Sequence, residues 1–129
     1  MTWVFLKVED VQRLHDQQIE RFGGPPGLRD QGLLESAVAR AENTATYDEN
    51  ATIADIAASL SFGLIKNHAF IDGNKRIGAV ALITLLDLNG FTLTCSEQEE
   101  TDMVLRVAAS QISEEEWTAW VERSVAPLA

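Results

Sequence analysis

A chain of 129 residues suits a single domain spanning residues 1–129, long enough to bury a core without covalent staples. With 46% apolar and 23% charged residues the composition is that of a folded globular protein, which excludes global disorder. The 20 Asp and Glu outnumber the 10 Lys and Arg for a net charge of −10, which disfavours direct nucleic-acid binding through a basic face.

Met1–Lys7 is too short an apolar stretch for a signal-peptide core and has no basic segment before it. Thr2–Leu6 reads as extended and leads into a helix over Val8–Phe22, where Val8, Val11, Leu14, Ile19 and Phe22 share one face. His15, next to Leu14, either faces a site or sits in a polar pocket. Gly23-Gly24-Pro25-Pro26-Gly27 ends the helix as a rigid loop. Arg29 and Asp30 read as an ion pair or a helix cap, with Asp30 opening a helix that buries Leu33, Leu34, Ala37, Val38 and Ala41. Asn43–Ala51 is mixed and polar, a loop carrying Tyr47. Thr52 caps a third helix with Ile53, Ile56, Ala57, Leu60, Leu64 and Ile65 pointing inward.

After the short loop His68–Gly73, the run Asn74 to Asn89 is almost uniformly apolar beyond Arg76 and reads as a buried helix closed by Asn89-Gly90. Phe91–Cys95 alternates at period two, as a short strand does. Cys95 is the only cysteine, so no intrachain disulfide forms and a reducing compartment is expected. Capping boxes at Ser96…Glu99 and Ser113…Glu116 open two more helices, with Met103, Val104 and Val107 inside one and Trp117, Trp120 and Val121 inside the other. Their acid-rich surface reads as solvated helix. No uninterrupted apolar run reaches the roughly 18 residues of a membrane span. The expectation is an all-α domain of about six helices around one central hydrophobic helix, cytoplasmic and without a membrane partner.

Chemistry concentrates in His68-Ala-Phe-Ile-Asp-Gly-Asn-Lys-Arg76. A helix start presents unpaired N–H groups and the positive end of its dipole, which attract anions. Gly73 lets a ligand approach the backbone, and Gly73, the first-turn N–H groups and the Asn74 amide could hold a phosphate. Lys75 and Arg76 could neutralise its oxygens, and Asp72 could hold Mg²⁺. His68 could take the proton of an attacking hydroxyl. Phe70 is read as an anchor in the core. No Walker-type phosphate loop is present, nor a metal-binding His/Cys cluster.

The run His68-x-Phe70-x-Asp72-Gly73-Asn74-Lys75-Arg76 resembles the Fic-domain signature, and more closely its Doc (death-on-curing) branch with Asn-Lys-Arg in the loop. The likeness extends to Leu14-His15-Asp16, Arg21-Phe22-Gly23-Gly24, Gly27-Leu28-Arg29-Asp30 and Leu33-Leu34-Glu35-Ser36-Ala37, and covers roughly the whole chain. Lys75 stands where Fic adenylyltransferases have glycine and Ala79 where they have a second arginine; Ala69 replaces their proline. The Doc resemblance implies a type II toxin that binds ATP with Mg²⁺ and transfers the γ-phosphate to a threonine of elongation factor Tu, arresting translation. His68, Asp72, Lys75 and Arg76 would then be catalytic, Gly73, Asn74, Lys75 and Arg76 would bind the nucleotide's phosphates, and Asp72 would be the metal ligand.

Asp72-Gly73 keeps the Fic form, which leaves AMP transfer as an alternative, and an inactive Fic-fold binding module as another. Ser96-x-x-x-Glu100 and Ser110-x-x-x-Glu114 fall short of the Fic self-inhibitory pattern, so restraint is expected from a Phd-type antitoxin whose disordered tail folds on the toxin. By analogy with the Fic flap, Tyr47 is a candidate for docking the target.

Overall fold

The computed structural model describes residues 2–129. Six helices and two short strands follow one another as α1 (Val8–Phe22), α2 (Gln31–Tyr47), α3 (Ile53–Asn67), α4 (Asn74–Leu88), β1 (Phe91–Leu93), α5 (Glu97–Ala108), α6 (Glu114–Ser124) and β2 (Val125–Pro127). The fold is all-α in class. No helix among the described residues is long and apolar enough to cross a membrane.

The core centres on two helices rather than on α4 alone. Helix α3 begins with a complete capping box between Thr52 and Asp55 and buries residues on every side, from Ile53 and Ile56 to Leu64 and Ile65. Helix α4 lies along it, burying Ile77, Ala81, Leu82, Leu85 and Leu86 on one face. Gly78 permits this close approach, because a Cβ there would overlap Ile65 Cγ1 and lie 3.3 Å from the Ser61 carbonyl. The outer face of α4 reaches solvent, and Ile83 and Leu88 are exposed despite the apolar run.

Around this pair, α2 contributes Leu34, Ala37 and Ala41, α1 contributes Val11 and Ile19, and α6 contributes Trp117, Trp120 and Val121. The buried Trp117 indole donates from Nε1 to Ser61 Oγ at 3.0 Å, so its polar edge is satisfied inside the core. The extended N-terminal segment is tied down through Val4, which exchanges two hydrogen bonds with the Asn89 side chain (2.8 and 2.9 Å).

Several details depart from the sequence reading. Helix α2 continues through Tyr47 instead of ending in a loop, since the Ala- and Thr-rich run there keeps Ala41 buried and Thr44 and Ala45 half-buried. Phe22 is 59% exposed and lies outside the core, beneath the Arg21 and Arg76 guanidinium groups. Ser96 caps α5 by accepting from the Glu99 N–H, but the Glu99 carboxylate accepts from Trp120 Nε1 (2.7 Å) rather than closing a box. The Ser113–Glu116 box is complete. Strand β1 is shorter than expected and gains a partner absent from the sequence reading, since β2 pairs with it antiparallel (Phe91 with Pro127, Leu93 with Val125).

Candidate active site

The loop Ala69–Gly73 joins the two central helices, so its ends are held by the most rigid part of the molecule. Ala69 and Phe70 are buried, and the Phe70 ring anchors the loop as the sequence implied. A strand-like contact fixes the other side. Leu28 and Phe70 form an antiparallel bridge, Ile71 N–H donates to the Gly27 carbonyl (3.1 Å), and Arg29 and Asp30 N–H both donate to the Ala69 carbonyl (2.7 and 3.0 Å).

His68 is the C-cap of α3, in the left-handed conformation at φ 51, ψ 48. That turn leaves the imidazole exposed at the mouth of a cavity of about 320 Å³, lined by His68, Ile71, Asp72, Gly73, Asn74, Lys75 and Arg76. A left-handed residue other than glycine is strained by about 1–2 kcal/mol and is held there by its surroundings. Here Arg29 does the holding. Its Nε–H donates to the His68 carbonyl at 2.6 Å and a terminal N–H donates to the Asn67 carbonyl at 3.2 Å.

Helix α4 opens at Gly73 (φ 77) with no side chain capping its first turn, so the N–H groups there face the cavity uncapped. The Asp72 carboxylate has no hydrogen bond or ion pair among the described residues and lies against Gly24. Gly24 has φ 109, which favours glycine, and a Cβ there would sit 2.5 Å from Asp72 Oδ2. The Lys75 side chain is exposed and has no hydrogen-bonding or ionic partner among the described residues. Arg76 is half-buried, making long contacts (3.4 Å) to the Gln18 and Gly23 carbonyls, and its guanidinium lies 5.7 Å from the Phe22 ring centroid.

Asn74 differs from its expected part. Its buried side chain accepts from Phe70 N–H and donates to the Phe70 carbonyl, both at 3.0 Å, so the amide braces the loop and only the backbone N–H is left for a ligand. Lys66 also stands apart from the cationic loop, bonding to Ser110 in the turn after α5. Arg29 and Asp30 are caps of different helices rather than an ion pair, since Asp30 accepts from Leu33 N–H (2.9 Å) at the start of α2. Tyr47 is 90% exposed and borders Arg40, Asn43, Ser59 and Glu114, with no motif residue beside it. The segment that adjoins the loop is Gly27–Arg29 instead.

A second, narrower cleft of about 210 Å³ adjoins the first through Lys75 and Arg76 and continues along Ala79, Glu100, Thr101, Val104 and Leu105. Burial and the neighbouring Glu97 push the Glu100 carboxyl above its ordinary pKa. A larger cavity, about 560 Å³, lies between the N-terminal segment and the end of α2 and contains acids and aromatics but no motif residue. Chemistry rather than size selects the smaller one.

His15 was left open by the sequence and is fully buried here, reaching the Asp72 carbonyl from α1. Its spacing with Val11 and Ile19 was the available signal of an inward position.

No cluster of three or more potential metal ligands exists among the described residues, so a cation at Asp72 would need further oxygens from a ligand. Together these groups offer a proton acceptor, a carboxylate, two cations and unpaired N–H donors around one small cavity, a set suited to transfer of a phosphorus-centred group.

Comparison with known proteins identifies the family. The Fic/DOC family matches residues 5–86. The chain is 30% identical over 105 residues to a protein named Protein kinase doc of Escherichia phage P1, covering 81% of this chain and 82% of that protein. It is 45% identical over 73 residues to a protein named Toxin Doc of Mycolicibacterium smegmatis, covering 56% of each. The chain belongs to the Fic/Doc family, as a Doc member.

Proposed function

We propose that this chain is a toxin that transfers the γ-phosphoryl group of ATP to a Ser or Thr hydroxyl of a translation factor, with elongation factor Tu the first candidate. The observation that carries this reading is the unpartnered Lys75 ammonium on the same cavity as His68, at an uncapped helix start. The relatives' names, one a protein kinase and one a toxin, support it.

In this reading His68 takes the proton of the attacking hydroxyl as its oxygen bonds to the γ-phosphorus, and the bond to the β–γ bridging oxygen breaks to release ADP. The N–H groups of Gly73, Asn74 and Lys75 and the Lys75 and Arg76 side chains stabilise the charge on the transferring group. Asp72 would hold Mg²⁺, which would supply further charge neutralisation. The apolar walls of the adjoining cleft, Ala79, Val104 and Leu105, receive the nucleoside. Exposed Ile71 and Leu105 give an antitoxin helix of the Phd type apolar positions beside the site, through which it would exclude the substrate.

The test is to incubate purified elongation factor Tu with the protein, ATP and Mg²⁺ and to weigh the product. A gain of one phosphoryl group, absent with His68→Ala, supports the reading. A gain of one adenylyl group would replace it with AMP transfer, the alternative that the retained Asp72-Gly73 pair leaves open.

A further inference from the structure

The buried imidazole of His15 touches three residues of the motif loop. Its Nε2 lies 2.7 Å from the Asp72 carbonyl oxygen. Its ring stacks on Phe70, with centroids 3.7 Å apart and planes 12° from parallel. A Cβ at Gly73 would stand 3.3 Å from the same Nε2. A carbonyl oxygen only accepts, so the proton of the contact sits on Nε2. Nδ1 is buried and has no hydrogen-bond partner among the described residues, so the ring's one polar tie is to the loop.

The direction of this bond has a consequence at the cavity. In a trans peptide the C=O and N–H groups point in opposite directions. With the Asp72 carbonyl drawn inward to α1, the N–H of Gly73 is aimed away from His15. That N–H has no hydrogen-bond partner among the described residues. A glycine at φ 77, ψ 18 tolerates rotation of the preceding peptide, and the rotated form would present a carbonyl oxygen where an anion is to bind.

We propose that His15 is a positioning residue of the active site, locking the Asp72–Gly73 peptide so that a donor and not an acceptor faces the phosphate. The proposal rests on the reading of the loop as a phosphoryl-transfer site and adds to it a residue from outside the motif. His15 touches no substrate and acts through the peptide it holds. The Phe70 stack keeps the imidazole plane in register with the carbonyl, so packing and hydrogen bond are distinct contributions.

Two variants separate those contributions. His15→Phe keeps a flat ring for the stack but has no donor, whereas His15→Gln keeps an N–H donor at similar reach. The probe is inorganic phosphate, followed through the Gly73 amide resonance in a ¹H–¹⁵N spectrum, alongside melting temperature and the transfer rate from ATP. The wild-type Gly73 amide should shift on titration. His15→Phe should melt close to wild type, bind phosphate about tenfold more weakly and transfer correspondingly more slowly, as expected for loss of one oriented donor. His15→Gln should regain most of both. Wild-type phosphate affinity and rate in a folded His15→Phe would overturn the proposal, as would a folded His15→Gln no better than the Phe variant.

Should His15→Phe fail to fold, the tautomer decides. A wild-type imidazole with its proton on Nδ1 instead of Nε2 contradicts the proposal, and a proton on Nε2 together with a phosphate-sensitive Gly73 amide supports it. A wild-type chain that binds phosphate through Gly73 yet transfers nothing from ATP would defeat the kinase reading while leaving the role of His15 standing.

Discussion

Arg29 donates from Nε to the carbonyl of His68 at 2.6 Å, so a cation just ahead of α2 closes the end of α3 and holds the proposed base in its left-handed turn. The relationship joins two residues 39 positions apart and makes the loop before α2 part of the candidate site's frame. Arg29→Met removes the donor without changing the length of the side chain much. The transfer rate should fall about tenfold, with a stability loss of about 1 kcal/mol from the lost C-terminal cap. Label transfer and a thermal melt measure the two effects, and an unchanged rate would show that His68 is held by other contacts.

Replacing His68 separates chemistry from folding. His68→Gly should abolish transfer yet leave stability unchanged or raise it by up to about 1 kcal/mol, because glycine adopts the left-handed turn without a Cβ penalty. A variant that melts well below wild type would mean that the imidazole contributes to packing, against its exposure in the structure.

The pair α3–α4 should be intolerant of charge. Leu82 and Leu85 are fully buried, and Asp at either position would place an unpaired carboxylate in the core. Neither variant should yield a cooperative melt. A soluble variant with native helicity would show that α4 is not part of the core.

Glu100 supplies a pH signature. Its folded pKa is raised by burial and by Glu97, so its ionised form opposes folding at neutral pH, and this opposition fades as pH falls through the folded value toward the unfolded one. Glu100→Gln should therefore melt above wild type at pH 7, with the gap narrowing in acid. A gap that stays constant, or one of opposite sign, would contradict the assignment.

Much of this architecture was legible because it is written locally. Thr52, Asp30, and Ser113 with Glu116 mark helix starts by side-chain chemistry within four residues, and all three cap as expected. The motif loop was equally plain, since its groups are contiguous in the chain. What escaped depends on partners far away. The Asn74 amide reads as a ligand group until the fold closes it on Phe70, and Glu99 reads as half a capping box until Trp120 arrives from α6. Strand β2 has no pattern of its own and exists because β1 is there to pair with. His15 and Arg29 lie outside the motif and reach the site only through tertiary contacts of 57 and 39 residues' separation.

Lys75 distinguishes the two transfer chemistries most directly among the side chains of the loop. Lys75→Gly removes the unpartnered ammonium and restores the glycine of the Fic pattern. Phosphoryl transfer should drop by about two orders of magnitude, the scale for losing one electrostatic stabiliser of a transition state. Unaltered product and rate would show that Lys75 takes no part.

The most direct measurement follows label from ATP into protein of a bacterial lysate, comparing γ-phosphate with α-phosphate label and using His68→Ala as control. Phosphoryl transfer through His68 predicts incorporation from the γ position alone, lost in the variant. Incorporation from the α position, or label that persists without His68, would contradict it.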